Sequence, residues 1–135
     1  MHAALALVTL SLSGCSLLEP AKPIAYRASP DQMMNAIARL APTLPVKPLN
    51  EPFRVTRRTA DQLVVATPLK PVGMAVGLFV GAGIGNAPAS ITYNFKRQGD
   101  LTLVTSQVSS GSDLSSQHIA VYNMLDKTFT RVTLP

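Results

Sequence analysis

Alternating apolar and polar positions in the middle of the chain predict two β-hairpins. The first lies within residues 53–67 and the second within residues 91–108, where Gln98-Gly99-Asp100 supplies the turn. Because side chains alternate along a strand, the apolar residues of both hairpins should share one buried face. These residues are Phe53, Val55, Leu63, Val65, Ile91, Tyr93, Phe95, Leu101 and Leu103.

Apolar residues at helical spacing predict one helix on each side of the hairpins. Ser29-Pro30-Asp31-Gln32 has the composition of a capping box with proline at the first helical position. The prolines that begin at Pro42 should end this first helix near Ala41. Its apolar face consists of Met33, Ile37, Leu40 and Ala41. A second helix, running to the end of the chain, is predicted from Val121, Tyr122, Leu125, Phe129 and Val132.

The order of helix, four strands and helix (α-β-β-β-β-α) predicts an α+β fold. We expect a two-layer sandwich, in which a four-stranded antiparallel sheet carries both helices on one face. In a simple meander the two hairpin turns lie at the same end of the sheet, which should gather a basic rim. The rim consists of Arg57, Arg58, Lys96 and Arg97. It is either a solvated edge that discourages strand pairing or an anion-binding surface.

The connection between the hairpins, residues 68–89, is apolar and rich in glycine. No charged residue occurs from Pro71 to Phe95, and Gly73, Gly77 and Gly81 repeat every fourth position. This spacing resembles the glycine-zipper segments of some small outer-membrane lipoproteins, in which small residues permit close backbone approach. The resemblance implies contact with a membrane or partner through Gly73, Gly77, Leu78, Phe79 and Gly81. The alternatives are an apolar loop that covers the sheet edge or core, and an additional pair of strands.

The first fifteen residues carry the clearest indication of where the protein resides. An uncharged, largely apolar run ends in Leu12-Ser13-Gly14-Cys15, which resembles the lipobox of bacterial lipoproteins. The resemblance implies that residues 1–14 are a signal peptide and that Cys15, the only cysteine of the sequence, is acylated. Residues 15–28 would then form the lipidated cysteine and a tether, and residues 29–135 a single domain. Because signal peptides normally open with basic residues, the sequence favours a start upstream of Met1, and the alternative is an unusual signal in which the α-amino group alone supplies the positive charge.

Charge and localisation together restrict the expected partners. The sequence contains 12 Lys and Arg against 7 Asp and Glu, a net charge of +5. This excess suits a protein near anionic head groups or cell-wall polymers, and export makes us expect no nucleic-acid partner. Ser16 after the cysteine resembles the sorting pattern for the outer membrane, whose periplasmic face is expected in bacteria with two membranes. The expected partners are the membrane, through the lipid, and an envelope protein.

Few residues of the sequence suggest catalysis. His118 is the only histidine after the predicted signal peptide and should lie on a helix surface. The aspartates fall at expected caps, turns and a helix surface, and no cluster of metal ligands is evident. We therefore expect no enzyme activity, metal or cofactor. The favoured function is a non-enzymatic accessory, assembly or binding module of the envelope. The alternative is a carrier of a lipid or small apolar ligand, with a pocket between helices and sheet.

Overall fold

The computed structural model describes residues 22–70, 88–109 and 113–134. Within these ranges the chain forms two helices and one antiparallel sheet, so the α+β class predicted from the sequence is confirmed. The strands are β1 (Ile24–Tyr26), β2 (Arg54–Arg58), β3 (Gln62–Thr67), β4 (Ala89–Gln98), β5 (Leu101–Val108) and β6 (Arg131–Val132). The helices are α1 (Pro30–Leu40), which a 3₁₀ turn at Ala41–Thr43 follows, and α2 (Ser115–Thr128).

The sheet has six strands, so the predicted four-stranded sheet was too small. Its strand order is β2-β3-β4-β5-β1-β6, and the four predicted strands form a meander on one side. The additional strand β1 comes from the segment predicted to be a tether, 15–28, because Ala25 pairs with both Leu103 and Val132. Strands of three and two residues are too short for alternation to indicate them, since pairing rather than periodicity holds them in the sheet.

Helix α1 begins and ends where the sequence predicts. The Ser29 hydroxyl accepts a hydrogen bond from the Gln32 backbone at 3.1 Å, and the Gln32 side chain accepts one from the Ser29 backbone at 2.9 Å. This capping box satisfies two backbone donors that a helix start leaves unpaired. The helix ends at Leu40, immediately before the 3₁₀ turn that contains Pro42.

Helix α2 ends earlier than predicted. The backbone becomes extended at Phe129, with φ −126° and ψ 159°, and the chain then enters β6. The Arg27 backbone N–H donates to the Thr130 carbonyl at 2.9 Å, and Arg131 pairs with Tyr26 in the sheet. These backbone bonds replace those of another helical turn, although Val132 continues the apolar helical spacing.

Both helices pack on the same face of the sheet, which we call the helix-covered face. Its core contains the largest fully buried side chains, which are Tyr26, Met33, Met34, Ile37, Phe53, Leu63, Val65, Ile91, Tyr93, Val104, Val121 and Leu125. Predicted core residues Ile37, Phe53, Val65, Phe95 and Leu125 are all buried there.

Strand β5 presents the opposite alternation from the predicted one. Phe95 pairs with Val104 and Lys96 pairs with Leu103, because only Gly99 and Asp100 lie between the paired residues Gln98 and Leu101. Gly99 has a φ of +62°, which suits glycine at the first position of a two-residue hairpin turn. Thr102 and Val104 are therefore fully buried against the helices. Leu101 and Leu103, which were expected in the core, are half-buried on the face opposite the helices, which we call the outer face.

Candidate functional site

A groove crosses the outer face where strands β4 and β5 meet the start of β1. Its volume is about 220 Å³. The lining residues are Pro23, Asp61, Asn94, Phe95, Lys96, Leu103 and Thr105. The groove follows directly from the register of β5: Leu103 pairs with Lys96 and Thr105 with Asn94, which places these four side chains together. Leu103 and Pro23 contribute apolar lining, which we call the apolar floor, and Asp61, Asn94 and Lys96 contribute charged and amide groups.

Some polar groups that line the groove form hydrogen bonds within the described chain, and others do not. The Asn94 side-chain oxygen accepts a hydrogen bond from Gln62 at 3.0 Å, whereas its amide nitrogen donates to none of the described residues. The Lys96 ammonium likewise has no carboxylate within 4 Å in the described chain. The Asp61 carboxylate accepts from the Thr59 hydroxyl at 3.0 Å. Two donors therefore remain available beside an apolar floor, an arrangement that suits a ligand with a carboxylate or another acceptor beside an apolar group.

The four residues of the predicted basic rim do not form one cluster. Arg58 lies on the helix-covered face and donates to Asn35 and Asp31 of α1, at 2.8 and 3.4 Å. Arg57 pairs with Val64, which pairs with Thr92 of β4, so Arg57 lies on the outer face at the level of Thr92. Lys96 lies on the same face, four residues further along β4. At about 3.3 Å per residue, that offset is roughly 13 Å.

The rim is divided because the two hairpins differ in length. The Phe95 backbone N–H donates to the Asp61 carbonyl, so the β2–β3 turn stops at the level of Phe95. Strands β4 and β5 continue past this level to Gly99, where Arg97 donates to the Gly99 carbonyl at 3.2 Å. The predicted rim required two hairpins of equal length. Alternation of apolar and polar residues alone does not give the length of a hairpin relative to its neighbour. Lys96 thus belongs to the groove, and its neighbour Arg97 points to the opposite side of the strand.

Cations exceed carboxylates throughout the described chain, which includes all twelve Lys and Arg but six of the seven acidic residues. Four arginines form ion pairs with carboxylates, and Lys47 also has an electrostatic partner. The remaining cations have no carboxylate within 4 Å among the described residues. They are Lys22, Arg39, Arg57, Lys70, Lys96, Arg97 and Lys127. The described surface therefore favours anionic partners.

Three tyrosines place hydroxyl groups between the sheet and helix α2. Tyr26 donates to Asp126 at 2.7 Å, and Asp126 also pairs with Arg131 at 3.4 Å. Burial, together with that carboxylate, raises the pKa of Tyr26. The Tyr93 hydroxyl is fully buried without a hydrogen-bond partner among the described residues, and burial raises its pKa as well. Tyr122 contacts Ser106 at 3.4 Å, so this side of the core is more polar than the sequence indicates.

The residues considered for chemistry lie apart from one another. His118 packs its ring against Tyr122, with centroids 4.5 Å apart, on the helix where the sequence places it. Asp113 lies before α2 and accepts hydrogen bonds from the Ser115 hydroxyl and backbone, which lower its pKa. In residues 22–70, 88–109 and 113–134, no group of three or more His, Cys, Asp or Glu residues is placed to hold a metal ion.

Other predicted site residues lie outside the described ranges. Cys15 precedes them, and the predicted contact residues Gly73, Gly77, Leu78, Phe79 and Gly81 fall in the gap between 70 and 88. The groove residues Asp61, Asn94 and Thr105 were not predicted from the sequence. Only the polar positions between the apolar ones of each strand could have indicated them, and such positions also occur on ordinary solvated sheet faces.

Comparisons with known proteins give no relative from which a function can be transferred. No family model, curated protein or solved structure matches the chain. Among the described residues, no helix is both long and apolar enough to span a membrane.

Proposed function

We propose that this chain is a lipid-anchored, non-enzymatic binding module of the bacterial cell envelope. In this proposal the anchor is acylated Cys15, and the outer-face groove binds a partner that presents an acidic group beside an apolar one. The observation that carries the binding role is the groove itself. Lys96 and Asn94 offer donors that the described residues do not occupy, and Leu103 and Pro23 offer apolar surface.

The lipid anchor is supported by the sequence around Cys15, and the position of β1 limits how far from the bilayer such an anchor would hold the domain. Only residues 16–21 separate Cys15 from Lys22, the first described residue. At no more than about 3.6 Å per residue, the Cα atoms of Cys15 and Lys22 are at most roughly 25 Å apart. Acylation at Cys15 would therefore keep the domain close to the bilayer. Several acyl chains hold a protein stably on a membrane, whereas one does so only marginally.

The anchor predicts a specific result for Cys15→Ala. Metabolic labelling with a fatty-acid analogue should label the parent chain and leave the variant unlabelled, because the substitution removes the only thiol of the sequence. The variant should also accumulate as a precursor that retains residues 1–14. A matched control is Ser16→Ala, which leaves the thiol in place and should be labelled like the parent. Equal labelling of the parent and Cys15→Ala would contradict the anchor.

The groove predicts that a charge reversal at Lys96 abolishes binding. A photo-crosslinking amino acid at Thr105 should capture the partner in intact cells, and Lys96→Glu should remove that adduct by repelling its acidic group. Arg97→Glu is the matched control, because it makes the same charge change on the neighbouring residue outside the groove. An adduct that survives Lys96→Glu, or that both reversals remove equally, would show that the groove does not select the partner.

The second candidate function is the carrier of a lipid or small apolar ligand. One observation favours it: the Tyr93 hydroxyl is buried between sheet and α2 without a hydrogen-bond partner, where a ligand head group would find a donor. Against it, the side chains between the two layers form a contiguous buried cluster, in which Ile37, Val121 and Leu125 are fully buried. Native mass spectrometry distinguishes the two functions, because a non-covalently bound lipid that accompanies the purified chain supports the carrier.

A further inference from the structure

The two ends of the sheet differ in the side chains that they expose to solvent. Strand β3 ends at Thr67, β4 begins at Ala89 and β5 ends at Val108, all at one end of the sheet. Strand β1 runs away from this end, because Ile24 pairs with Val104 and Tyr26 pairs with Thr102. The chain therefore enters β1 from the end at which β5 finishes. We call this end the tether end. The opposite end, at Gly99 and Asp100, is the hairpin end.

Helix α2 runs from the tether end to the hairpin end. The Gln117 side chain, in the first turn of α2, donates a hydrogen bond to the Pro45 carbonyl at 2.5 Å. Pro45 belongs to the connection after α1, which leads to a β-bridge between Asn50 and Leu69 at the tether end. At the other end of the helix, Asp126 accepts from Tyr26, whose strand finishes at the hairpin end. The first half of α2 and the connection after α1 therefore lie near the tether end.

Exposed large apolar side chains are concentrated near the tether end. The described residues include three of them: Val46 at 37% exposure, Val108 at 39% and Ile119 at 58%. Val108 is the last residue of β5, Val46 follows Pro45, and Ile119 lies in the first half of α2. Helical side chains lean toward the N-terminus of their helix, so Ile119 leans toward the tether end. None of the large apolar residues described near the hairpin end is exposed.

Cations without a carboxylate partner accompany these apolar residues. Lys22 precedes β1, Arg39 lies in the last turn of α1, and Lys70 follows the bridge between Asn50 and Leu69. None of the three has a carboxylate within 4 Å in the described chain. Exposed apolar side chains surrounded by lysine and arginine are the composition of surfaces that bind the interface of anionic membranes.

We propose that the tether end docks on the bilayer in which the chain is anchored. Its docking surface consists of Lys22, Arg39, Val46, Lys70, Val108 and Ile119. The occupant that we propose is a bilayer with anionic head groups rather than a protein. Lys22 lies only seven residues after the proposed acylation site, so the lipid would hold this end of the domain beside the bilayer. This inference rests on the proposed function, which supplies the anchor. In this orientation the hairpin end faces away from the bilayer. Lys96, a lining residue of the groove, lies near the hairpin end of β4.

The test measures the depth of labels on the two halves of α2. In the full lipidated chain Cys15 carries the lipid, so a thiol-reactive fluorophore attaches only to an introduced cysteine. One label is placed at Ile119→Cys and its matched control at Lys127→Cys, eight residues further along the helix, about 12 Å away. The chain is reconstituted in vesicles of phosphatidylethanolamine and phosphatidylglycerol that contain a lipid quencher. We expect strong quenching of the label at 119 and little at 127.

Charge reversal tests the electrostatic part of the surface. Arg39→Glu with Lys70→Glu should remove the difference in quenching between positions 119 and 127. Arg97→Glu with Lys127→Glu, the same charge change nearer the hairpin end, should leave strong quenching at position 119. The difference should also weaken in phosphatidylcholine vesicles, which lack anionic head groups.

Three results would overturn the docking proposal, and one result concerns the anchor alone. Equal quenching at both positions, or a difference that is insensitive to Arg39 and Lys70, excludes this orientation. A dimer in the native mass spectrum of the same sample, together with weak quenching of the label at 119, shows that a second copy covers the surface instead. The mass of the same sample reports acylation at Cys15. An unacylated Cys15 refutes the proposed anchor, whereas an acylated chain with equal quenching refutes only the docking.

Discussion

Phe95→Ala should lower the free energy of unfolding by about 3–5 kcal/mol, as truncation of a buried aromatic side chain does. Phe95 is 4% exposed and belongs to the core cluster between the sheet and helices. It lies on the central strand β4, where its pairing with Val104 restricts how far the surrounding structure can collapse into the cavity. Because domains of this size are stable by about 5–15 kcal/mol, this loss is a large fraction of the total, and the urea midpoint should fall accordingly.

Urea unfolding followed by circular dichroism measures this loss. Two matched variants separate burial from general sensitivity of the fold. Phe95→Leu retains most of the side-chain volume and should lose less than about 1.5 kcal/mol. Ile119→Ala changes an exposed side chain and should alter the free energy of unfolding by no more than about 0.5 kcal/mol. A Phe95→Ala variant as stable as Ile119→Ala would mean that Phe95 does not face the helices.

The elements that the sequence predicts well are those whose local chemistry is sufficient to specify them. The capping box at Ser29 and Gln32 and the proline at position 42 define α1 without reference to the rest of the chain. Alternation likewise indicates the meander from β2 to β5. Strands β1 and β6 depend on partners distant in sequence: Ala25 pairs with Leu103 and Val132. No local pattern marks such short segments, so the sequence predicts a tether and a longer helix instead.

The candidate site was predicted less well than the fold, since its geometry depends on register. Lys96 was assigned to a basic rim because both hairpin turns lie toward the same end of the sheet. The offset between the turns, visible in the bond from Phe95 to Asp61, places it in a groove instead. Leu103 was assigned to the core because the turn was predicted to contain three residues. A strand that shifts by one residue exchanges its faces, so this single error concealed the apolar floor of the groove.

The register of β5 determines both the core and the groove, so it has the sharpest test. Val104 is fully buried on the helix-covered face, and its neighbour Leu103 lies on the outer face opposite Lys96. Val104→Asp places a carboxylate in the core without a partner, a change that costs on the order of 3–5 kcal/mol or more. Leu103→Asp places the same carboxylate beside the Lys96 ammonium, where an opposite-charge pair across strands contributes roughly 0.2–1 kcal/mol.

We therefore expect Val104→Asp to abolish cooperative unfolding and Leu103→Asp to retain it, with a midpoint near that of the parent. The measurement is thermal unfolding of both variants in the same buffer. The two substitutions introduce the same residue at adjacent positions of one strand, so differences in strand propensity or net charge cannot account for a large gap between them. If Leu103→Asp unfolds the chain and Val104→Asp does not, the three-residue turn is right. In that case Leu103 belongs to the core and the groove has no apolar floor.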